Sequence, residues 1–503
     1  MPFNSIFSWI IKKRIHQIDL FKQYPLEVQE ELRLKLVESA KNTVWGKSHR
    51  FSTIKSYTDF KNAVPLQEYN SLFPFIQRAM DGELNVLWPK KTNWFAKSSG
   101  TTEAKSKFIP VTKDSLEECH YKGGKDLLAL YYNNHPKRKL YNGKHLIIGG
   151  SAQINQLSTD SYFGDLSAII VKNLPFWAEI RRTPSKEIAL MSEWESKIEK
   201  MARSTINEDV LIIAGVPSWT MVLAKKVLEI SGKSNLKEVW PNLELFMHGG
   251  VSFEPYKNEF QRLIPDKTMN YVETYNASEG FFGIQDQLDS NELLLMLDYG
   301  IYYEFIPMSS FDGVNSKEVC NLENVELHKN YALVISSNGG LWRYIIGDTI
   351  QFTSLKPFRF KITGRTKQYI NTFGEEIIVD NAEKAIAFAC EQTNSQLKEF
   401  TAGPIYMQAG QKGGHEWLIE FTKAPENKAL FGSLLDEKLC ELNSDYAAKR
   451  AYNLVLQAPL IQELPEGTFN KWLKSIEKLG GQNKVPRLSN NRQIIEEVIA
   501  IFA

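Results

Sequence analysis

Apolar residues recur every three or four positions along residues 15–50, and this spacing predicts amphipathic helix. A further helix is expected to begin after residues 57–59 and to end at Pro65, because proline cannot continue a helix interior. Short apolar runs at residues 94–95 and 108–109 enclose a polar stretch, which predicts two strands joined by a loop. The N-terminal part of the chain is therefore predicted to fold as helices followed by one hairpin.

A long helix is predicted over residues 113–132, with Thr112 as its N-cap. Its apolar face carries several aromatic and leucine side chains, among them Tyr121 and Leu128. These side chains could line a substrate pocket, although a stripe of this kind more often packs into a protein core. The sequence leaves both interpretations open.

From residue 140 onward, short continuous apolar runs alternate with helical segments. The predicted strands are residues 146–150, 209–217, 245–251 and 269–275. Continuous apolar strands that alternate with helices indicate an α/β sheet that is largely parallel. In such a sheet, ligands gather beyond the carboxyl ends of the strands. Because glycines lie at three of these strand ends, we expect a binding site at that edge.

The pattern changes in the second half of the chain. Segments at 293–296, 302–306 and 331–335 are β-rich and separated by polar turns, which predicts a smaller antiparallel sheet or barrel. Later segments alternate in the order helix, strand, strand, helix, strand, helix, at 380–400, 405–408, 417–421, 433–449, 454–457 and 468–479. The expected fold is α/β, with a large multi-sheet N-terminal domain at 1–366 that includes an antiparallel β subdomain. A small α+β domain is expected at 367–503.

Composition narrows the function classes. The chain has 503 residues, enough for two or more domains with a large core. Its net charge of +1 gives no broad field for nucleic acid or an anionic membrane, so neither is an expected partner. Four scattered cysteines without a C-x-x-C pair indicate reduced thiols. The apolar run at residues 3–11 precedes its basic residues, unlike a signal peptide, and no segment reaches transmembrane length, so a cytoplasmic location is expected.

The polar stretch between the first two strands combines hydroxyl groups, a glycine and lysines. Its residues of interest are Ser98, Ser99, Gly100, Thr101, Thr102 and Lys107. Gly100 lets the backbone approach a ligand closely, while hydroxyls and successive N–H groups can surround phosphate oxygens. The Walker pattern is absent, so a phosphate site here would belong to another fold. A solvated hairpin loop is the alternative that these residues alone leave open.

Four motifs, in this order, resemble one family. They are residues 98–102 with Lys107, residues 275–280, residues 343–348, and Gly364-Arg365 with Gly374-Glu375. Together they resemble the auxin-responsive acyl-acid amido synthetases (the Gretchen Hagen three group), within the wider adenylate-forming enzymes, over nearly the whole chain. The resemblance implies a large adenylating N-terminal domain and a small mobile C-terminal domain. It also implies that ATP and a carboxylic acid give an acyl-adenylate and pyrophosphate, after which the amine of an amino acid displaces AMP to form an amide.

The resemblance implies roles for individual residues. Nucleotide contacts are expected from Ser98, Ser99, Gly100, Thr101, Thr102, Lys107, Gly250, Val251, Tyr275, Asn276, Ala277, Ser278, Tyr344, Asp348 and Arg365. Within this set, Gly250 and Val251 belong to a corner that resembles the one against which these enzymes lay adenine, and Tyr275 could stack on its other side. Asp348 is expected to accept bonds from the ribose hydroxyls, and Arg365 can reach the same sugar.

Glu279 and Lys484 are the expected catalytic residues. Glu279 would bind a Mg²⁺ ion that bridges phosphate oxygens, and the alternative is a surface glutamate that caps the next helix. Lys484 lies in a stretch that resembles the one bringing a lysine to the phosphate, and the alternative is a solvated lysine. Lys367 is the expected hinge for rotation of residues 367–503, or else a solvated turn residue. Ala104 replaces a second glycine of the family loop, so a stiffer loop is expected.

The expected substrates are a small-molecule carboxylic acid and an amino acid. Tyr121, Leu128 and Val216 are candidates for the acyl pocket, whose aromatic surroundings favour an apolar or aromatic acid. A carboxylate–CoA ligase with the same adenylation half-reaction is the main alternative. A nucleotide-binding scaffold without turnover is the other, but it would be expected to lack Glu279, Asp348 or the loop lysine. The sequence leaves open the acid, the amine and the oligomeric state.

Overall fold

The computed structural model describes residues 2–98, 107–136, 138, 143–149, 154–158, 160–191, 193–250, 253, 256–288, 290–366, 369–370, 375, 377–406, 413–443, 446–447, 450, 456–476, 478, 484–489 and 491–502. The α-helices with described bounds are α1 (Pro2–Gln23), α2 (Pro25–Ala40), α3 (Val44–Ser48), α4 (Tyr57–Ala63), α5 (Tyr69–Met80), α6 (Lys113–Ser115), α7 (Tyr121–Asn134), α8 (Leu166–Lys172), α9 (Phe176–Glu179), α10 (Lys186–Ala189), α11 (Trp194–Thr205), α12 (Pro217–Ser231), α13 (Leu236–Val239), α14 (Lys257–Leu263), α15 (Val379–Gln392), α16 (Lys428–Leu442), α17 (Thr468–Ser475) and α18 (Gln493–Phe502). The strands are β1 (Trp94–Ser98), β2 (Lys107–Val111), β3 (Lys144–Ile148), β4 (Asn155–Ser158), β5 (Ser161–Gly164), β6 (Arg182–Thr183), β7 (Val210–Gly215), β8 (Leu245–Gly249), β9 (Asn270–Ala277), β10 (Gly280–Ile284), β11 (Leu293–Leu295), β12 (Ile301–Pro307), β13 (Asn330–Ser337), β14 (Tyr344–Leu355), β15 (Phe358–Arg365), β16 (Tyr369–Ile370), β17 (Ile377–Ile378), β18 (Gln396–Ile405), β19 (Gly414–Lys423) and β20 (Leu460–Leu464).

The chain forms two compact units. The first contains Met1–Gly100, Lys105–Ile346 and Gln351–Lys361, and the second contains Gly347–Ile350 and Ile362–Ala503. A short piece of β14 and the end of β15 therefore belong to the second unit. The domain boundary expected at residues 366–367 stays a prediction.

An 11-stranded sheet has the strand order β12-β13-β14-β15-β11-β10-β9-β8-β7-β3-β6. Strands β6, β3, β7, β8 and β9 are parallel to one another, as the alternation of strands and helices predicted. The antiparallel strands expected after residue 290 also form, but they continue this sheet and do not make a separate one. The reason is the hairpin of β9 and β10, which adds an antiparallel strand to the parallel series and lets β11 and β15 pair beyond it.

The parallel strands are covered by helices, which explains their continuous apolar sequence. The first four residues of β7 are all buried. Met201 of α11, Leu223 of α12 and Phe260 of α14 belong to one core cluster with Phe246 of β8. Burial on both faces favours an unbroken apolar run, whereas a strand with one wet face alternates.

The hairpin predicted around residues 94–109 is present. Strands β1 and β2 pair antiparallel, with Ser98 opposite Lys107 at the open end. They belong to a four-stranded sheet with the order β2-β1-β5-β4. The residues between them, 99–106, lie outside the described part of the chain.

The predicted helix over residues 113–132 is present but is not a uniform α-helix. Thr112 caps it as expected, since its side chain accepts a hydrogen bond from the backbone N–H of Ser115. After α6, Leu116–His120 form a π-helix, and α7 follows. Single π turns are rare and are frequent at functional sites. Residue periodicity gave no sign of this one.

The second unit has the predicted order of helices and strands with shifted bounds. The helix expected over 380–400 ends at Gln392, because Asn394 takes a left-handed backbone conformation (φ 49°) and β18 begins at Gln396. The helix expected over 433–449 begins at Lys428, where the Asn427 side chain accepts a hydrogen bond from Leu430 N–H. Both differences concern the ends of elements.

The second unit contains a three-stranded sheet with the order β18-β19-β20. The third strand is β20, Leu460–Leu464, and the strand expected at 454–457 lies partly outside the described residues. The helix expected over 468–479 ends at Ser475. Helix α18 was not predicted; its buried Ile495 and Val498 pack with Leu418 of β19.

Candidate active site

Strand ends predicted to form a binding site lie at one edge of the main sheet. Ile148 of β3, Gly215 of β7 and His248 of β8 occupy the same row across the sheet. In the next row, Gly249 lies opposite Thr274 of β9. Because these strands are parallel, the residues that follow them emerge on the same side. The structure therefore brings Val216, Gly250 and the turn after β9 to a common edge.

Glu279 lies in a two-residue turn between β9 and β10. Ala277 pairs with Gly280 across this hairpin, so Ser278 and Glu279 form its tip. The next element is a strand, which removes the alternative that Glu279 caps a helix. Its side chain is half-buried. A short turn between paired strands fixes the position of a carboxylate better than an open loop does.

The π-helix contacts this hairpin from the first unit's interior. The N–H of Phe281 donates a hydrogen bond to Cys119 Sγ at 3.2 Å. His120 is 6% exposed, and the side chain of Asn276 is its hydrogen-bonding neighbour. Burial lowers the pKa of His120 to about 4, so its imidazole is neutral near pH 7. The π turn thus places two consecutive side chains against the strands on either side of Glu279, a role that sequence reasoning missed.

A pair of adjacent glycines on α7 allows a direct test of this packing. A Cβ atom on Gly123 would lie 2.5 Å from the Phe281 ring, whereas one on Gly124 would meet nothing within 4 Å. We expect Gly123→Ala to destabilise the protein by about 1–3 kcal/mol through overpacking. Gly124→Ala should instead stabilise it by up to about 1 kcal/mol, since alanine is the better helix former. Denaturant unfolding of the two variants measures both changes, and equal effects would contradict the close packing of α7 on β10.

The predicted phosphate loop is described only at its two ends. Ser98 ends β1, and Lys107 begins β2. The Lys107 ammonium lies 5.8 Å from the centroid of the Tyr69 ring, and the Tyr69 hydroxyl accepts a hydrogen bond from Phe108 N–H at 2.8 Å. Of the other loop candidates, Ser99, Gly100, Thr101 and Thr102 lie outside the described residues, as does Ala104. Phosphate binding by this loop stays a prediction.

The corner expected to hold adenine follows β8. Gly249 approaches β9 so closely that a Cβ would lie 2.4 Å from the carbonyl oxygen of Thr274. Gly250 has φ 80°, which favours glycine, and Val251 lies outside the described residues. The His248 ring stacks on Phe253 at 4.3 Å, and burial lowers its pKa to about 3. Its imidazole thus belongs to the core, and adenine binding at this corner stays a prediction.

Two tyrosines of the predicted nucleotide set are buried. Tyr275 is 6% exposed, and its ring centroid lies 4.8 Å from that of Phe282 and 6.1 Å from that of Phe360. Tyr344 is fully buried at the start of β14. Neighbouring rings therefore cover much of Tyr275, and the predicted stacking on a base stays a prediction.

The three candidates for an acyl pocket lie on two elements. Tyr121 and Leu128 are two turns apart on α7, and both are half-buried. The Tyr121 hydroxyl donates to the carbonyl oxygen of Ile170 on α8 at 3.4 Å. Val216 is the N-cap of α12, directly after β7. The aromatic side chains of α7 differ in burial: Tyr131 and Tyr132 are buried, whereas Tyr121 is half-buried.

Asp348 and Arg365 form an ion pair in the second unit. Arg365 Nε lies 2.8 Å from Asp348 Oδ1, and the two side chains are 33% and 15% exposed. Gly347 precedes Asp348 with φ 92°, and its carbonyl oxygen accepts a hydrogen bond from Thr366 N–H at 2.8 Å. This glycine corner ties β14 to the end of β15 and holds the carboxylate beside the guanidinium. The sequence placed both residues at the ribose but did not show that they pair.

Lys484 belongs to the same unit and lies within electrostatic reach of this pair. Its side chain keeps solvent access, but nearby protein atoms desolvate its ammonium group. This desolvation and the charge of Arg365 lower the pKa of Lys484 to about 8, while Asp348 and Glu383 act in the opposite direction. Asp348 and Arg365 are therefore in contact, and Lys484, which is far from them in sequence, lies within electrostatic reach of both.

The segment that carries Lys484 is docked on β18. Pro486 carbonyl oxygen accepts a hydrogen bond from Thr401 Oγ1 at 2.6 Å, and Arg487 carbonyl oxygen accepts one from Ala402 N–H at 2.8 Å. Val485 is 3% exposed. The backbone of this segment is therefore held in place, whereas Lys484 itself is exposed, and its predicted role stays a prediction. Lys367, the expected hinge, lies outside the described residues.

Within the described residues, no group of three or more histidine, cysteine, aspartate or glutamate side chains could hold a metal ion by itself. Mg²⁺ is usually held by one or two carboxylates together with substrate phosphates. The carboxylate of Glu279, at the sheet edge where the parallel strands end, fits this ion. Helices in the described part of the chain are all too short or too polar to cross a bilayer.

Sequence comparison decides the family. The GH3 family N-terminal domain matches residues 14–269, the GH3 family central domain residues 294–365, and the GH3 family C-terminal domain residues 380–493. The chain belongs to the GH3 family. The expected family is thereby confirmed, and the expected fold class agrees with the structure.

Relatives of this GH3 protein cover nearly its full length. A jasmonoyl-L-amino acid synthetase, JAR6 from Nicotiana attenuata, is 23% identical, over 92% of this chain and 90% of that protein. The solved structure of AtGH3.15 acyl acid amido synthetase in complex with 2,4-DB matches with TM-score 0.76 at 16% identity, over 94% of this chain and 93% of that one. A 2-hydroxyisobutyryl-CoA ligase in the postadenylation state matches with TM-score 0.59 at 11% identity, over 94% and 90% of the two chains.

These matches confirm the expected class of enzyme. The sequence relatives are amido synthetases, that is, ligases that join an acid to an amino acid. The structural matches show the fold shared by adenylate-forming enzymes. ATP is the co-substrate that this class implies.

Proposed function

We propose that this protein adenylates a carboxylic acid with ATP and then transfers the acyl group to the amine of an amino acid. The observation that carries the proposal is the cluster of Asp348, Arg365 and Lys484 in one unit. A carboxylate suited to ribose hydroxyls and a lysine suited to phosphate, within electrostatic reach of each other, match the ribose and the phosphate of an AMP moiety. The family membership supplies the reaction class.

In the first step, an oxygen of the substrate carboxylate attacks the α-phosphorus of ATP. The new P–O bond forms as the bond to pyrophosphate breaks, and pyrophosphate leaves. Both partners are anions, so the step depends on positioning and on positive charge. Lys484 supplies charge at the α-phosphate, Lys107 at the β- and γ-phosphates, and Asp348 holds the ribose. Mg²⁺ on Glu279, when bound, would neutralise phosphate charge.

In the second step, the nitrogen of an amine attacks the acyl carbon. The C–O bond to AMP breaks, AMP leaves with the electron pair, and the nitrogen loses a proton. The same adenylation half-reaction would also serve thioester formation with CoA, and the fold match to a CoA ligase keeps that as the second candidate. The acceptor alone distinguishes the two activities.

A pyrophosphate-release screen tests this proposal. Aromatic and fatty carboxylates are combined with ATP, Mg²⁺ and the common amino acids, with and without CoA. Release that depends on an amino acid, with an amide as product, supports the proposal. Release that depends on CoA, with a thioester as product, would replace it by the second candidate. Hormone conjugation is not assumed, because the pocket candidates only favour an apolar or aromatic acid and identify no particular one.

Two substitutions test the predicted metal and ribose sites. We expect Glu279→Ala and Asp348→Ala each to lower adenylation by two or more orders of magnitude, about 3 kcal/mol of positioned electrostatics. Both side chains are partly exposed, so the fold should persist. Exchange of labelled pyrophosphate into ATP measures the effect, and circular dichroism checks the fold. Near-normal exchange in both folded variants would overturn the assignment.

A further inference from the structure

The π-helix contacts the hairpin that carries Glu279 through a sulfur atom. Phe281 N–H donates a hydrogen bond to Cys119 Sγ at 3.2 Å, and the same sulfur lies 4.0 Å from Phe281 carbonyl oxygen. Cys119 is 1% exposed, and burial raises the pKa of its thiol to about 12, so the thiol keeps its proton near pH 7. One neutral side chain therefore lies beside both backbone polar groups of Phe281.

Phe281 is the second residue of β10, close to the turn. Strand β11 pairs with β10 at Gly283 and Ile284, and Met296 N–H donates to Phe282 carbonyl oxygen at 2.9 Å. Within the described residues, the pairing of β11 with β10 does not extend to Phe281. The Cys119 sulfur thus contacts β10 between the last residue bonded from the β11 side and the turn that contains Glu279.

The helix that follows the π turn is itself anchored to the first unit. Lys122 Nζ donates to Asp298 carbonyl oxygen at 2.8 Å. Asp126 is 1% exposed and accepts hydrogen bonds from Arg14 Nε and the Tyr299 hydroxyl, both at 2.7 Å. A side chain on a rigid element fixes its partner more precisely than one on a loop. Cys119 therefore has a firm base from which to hold β10.

The two strands of the hairpin are held at the same level. Phe281 faces Asn276 across the β9–β10 pair, one residue pair before the tip. Cys119 bonds to Phe281, and the neighbouring His120 has the side chain of Asn276 as its hydrogen-bonding neighbour. A metal-binding carboxylate works best when surrounding groups fix its position. The π turn supplies such support directly behind Glu279.

We propose that Cys119 is a positioning residue that fixes the Glu279 turn for Mg²⁺ through its hydrogen bond with the Phe281 backbone. The proposal rests on the proposed function for its catalytic meaning, since Glu279 binds the ion there. Cys119 does not touch substrate or metal. Its sulfur limits displacement of the turn, so that the Glu279 carboxylate is already in place when the ion and ATP bind.

The first arm of the test measures the hydrogen bond and needs no activity. The protein is labelled with ¹⁵N-phenylalanine, Phe281→Leu and Phe246→Leu assign two amides, and their exchange with deuterated water is followed by NMR. We expect Cys119→Ala to speed exchange at Phe281 about tenfold, because one hydrogen bond is lost. Cys119→Ser keeps an acceptor and should restore most of the protection. Phe246, in the core strand β8, should exchange at the wild-type rate.

The second arm measures the metal requirement of adenylation. We expect Cys119→Ala to raise the Mg²⁺ concentration for half-maximal rate about tenfold, with the KM for the acid little changed, and Cys119→Ser to recover most of this loss. Cys320→Ala is the matched control, because Cys320 Sγ lies 3.4 Å from Phe305 carbonyl oxygen and so contacts β12 of the same unit. It should leave both readouts unchanged.

Three results would overturn the inference. They are unchanged exchange at Phe281 in folded Cys119→Ala protein, equal acceleration at Phe246, and an unchanged Mg²⁺ requirement in a variant whose Phe281 amide exchanges faster. If Cys119→Ala does not fold, Cys119→Val, which fills a similar volume without an acceptor, takes its place. Wild-type protein without adenylation would refute the proposed function, whereas the exchange arm would still decide whether Cys119 holds the turn.

Discussion

Lys484→Ala is expected to lower the rate of acyl-adenylate formation by about three orders of magnitude, close to 4 kcal/mol, and to spare amide transfer. In the first step two anions must approach each other, and the ammonium compensates the charge that develops on the α-phosphate. In the second step AMP leaves with the electron pair, and we propose that rotation of the second unit has by then withdrawn Lys484 from the phosphate. The loss should therefore fall on one half-reaction.

Single-turnover measurements separate the two steps. Adenylation is followed from ATP and acid, and transfer from supplied acyl-adenylate and amine. Lys384→Ala is the matched control, because Lys384 is an exposed lysine of α15 in the same unit and pairs with Asp380 at 2.6 Å. It should leave both steps unchanged. Equal losses in the two steps for Lys484→Ala would show that the lysine serves the fold or both reactions.

A Lys484→Ala protein that loses adenylation but keeps amide transfer would also support the predicted rotation of the second unit between the two steps. Adenylation and transfer need different groups near one phosphate, and rotation about a hinge satisfies both needs with one site. Lys367 remains the predicted hinge. Lys367→Pro should then slow one half-reaction more than the other, because proline fixes φ and restricts the residue before it.

Much of the fold could be predicted from the sequence because the parallel strands have an unbroken apolar pattern. β7 and β8 are found where apolar runs end in glycine, and a strand buried on both faces has no other common pattern. The antiparallel strands were also predicted, but their union with the parallel ones was not. That union depends on the pairing of β10 with β11 and of β11 with β15, which local periodicity does not specify.

The candidate site was predicted as a set of residues and not as an arrangement. Asp348, Arg365 and Lys484 each came from a local motif, whereas their proximity depends on the docking of one segment against β18. His120 had no local signal, since a histidine on an apolar face is common. Long-range pairing of charges is the information that a single sequence lacks.

Arg343 belongs to a motif that predicts nucleotide binding, but its contacts in the structure are with buried groups of the protein itself. It opens the motif that ends in Asp348, but its guanidinium Nε lies 2.9 Å from Glu304 Oε2, and both side chains are almost fully buried. Arg343 also donates to Val64 carbonyl oxygen at 2.8 Å, and the Tyr57 hydroxyl donates to Glu304 at 3.0 Å. The arginine thus joins β14 to β12 and to the segment after α4.

Breaking this pair from either side is expected to cost about 3–5 kcal/mol of unfolding free energy. Glu304→Gln leaves a buried guanidinium without its counter-charge, and Arg343→Met leaves a buried carboxylate. The double variant Glu304→Gln/Arg343→Met should lose less than the sum of the two single changes, because no uncompensated charge remains in it. Denaturant unfolding of the three proteins forms a double-mutant cycle.

Arg78 and Glu83 provide the matched control, since they form a pair with similar distances on an exposed surface. Arg78→Met should change stability far less, because water solvates the remaining carboxylate. Additive losses at Glu304 and Arg343 would contradict a direct coupling between them. A fully stable Arg343→Met protein that fails to adenylate would assign the motif arginine to the nucleotide, whereas a destabilised protein with an unchanged KM for ATP would assign it to the fold. The contacts of Arg343 within the first unit favour the second result.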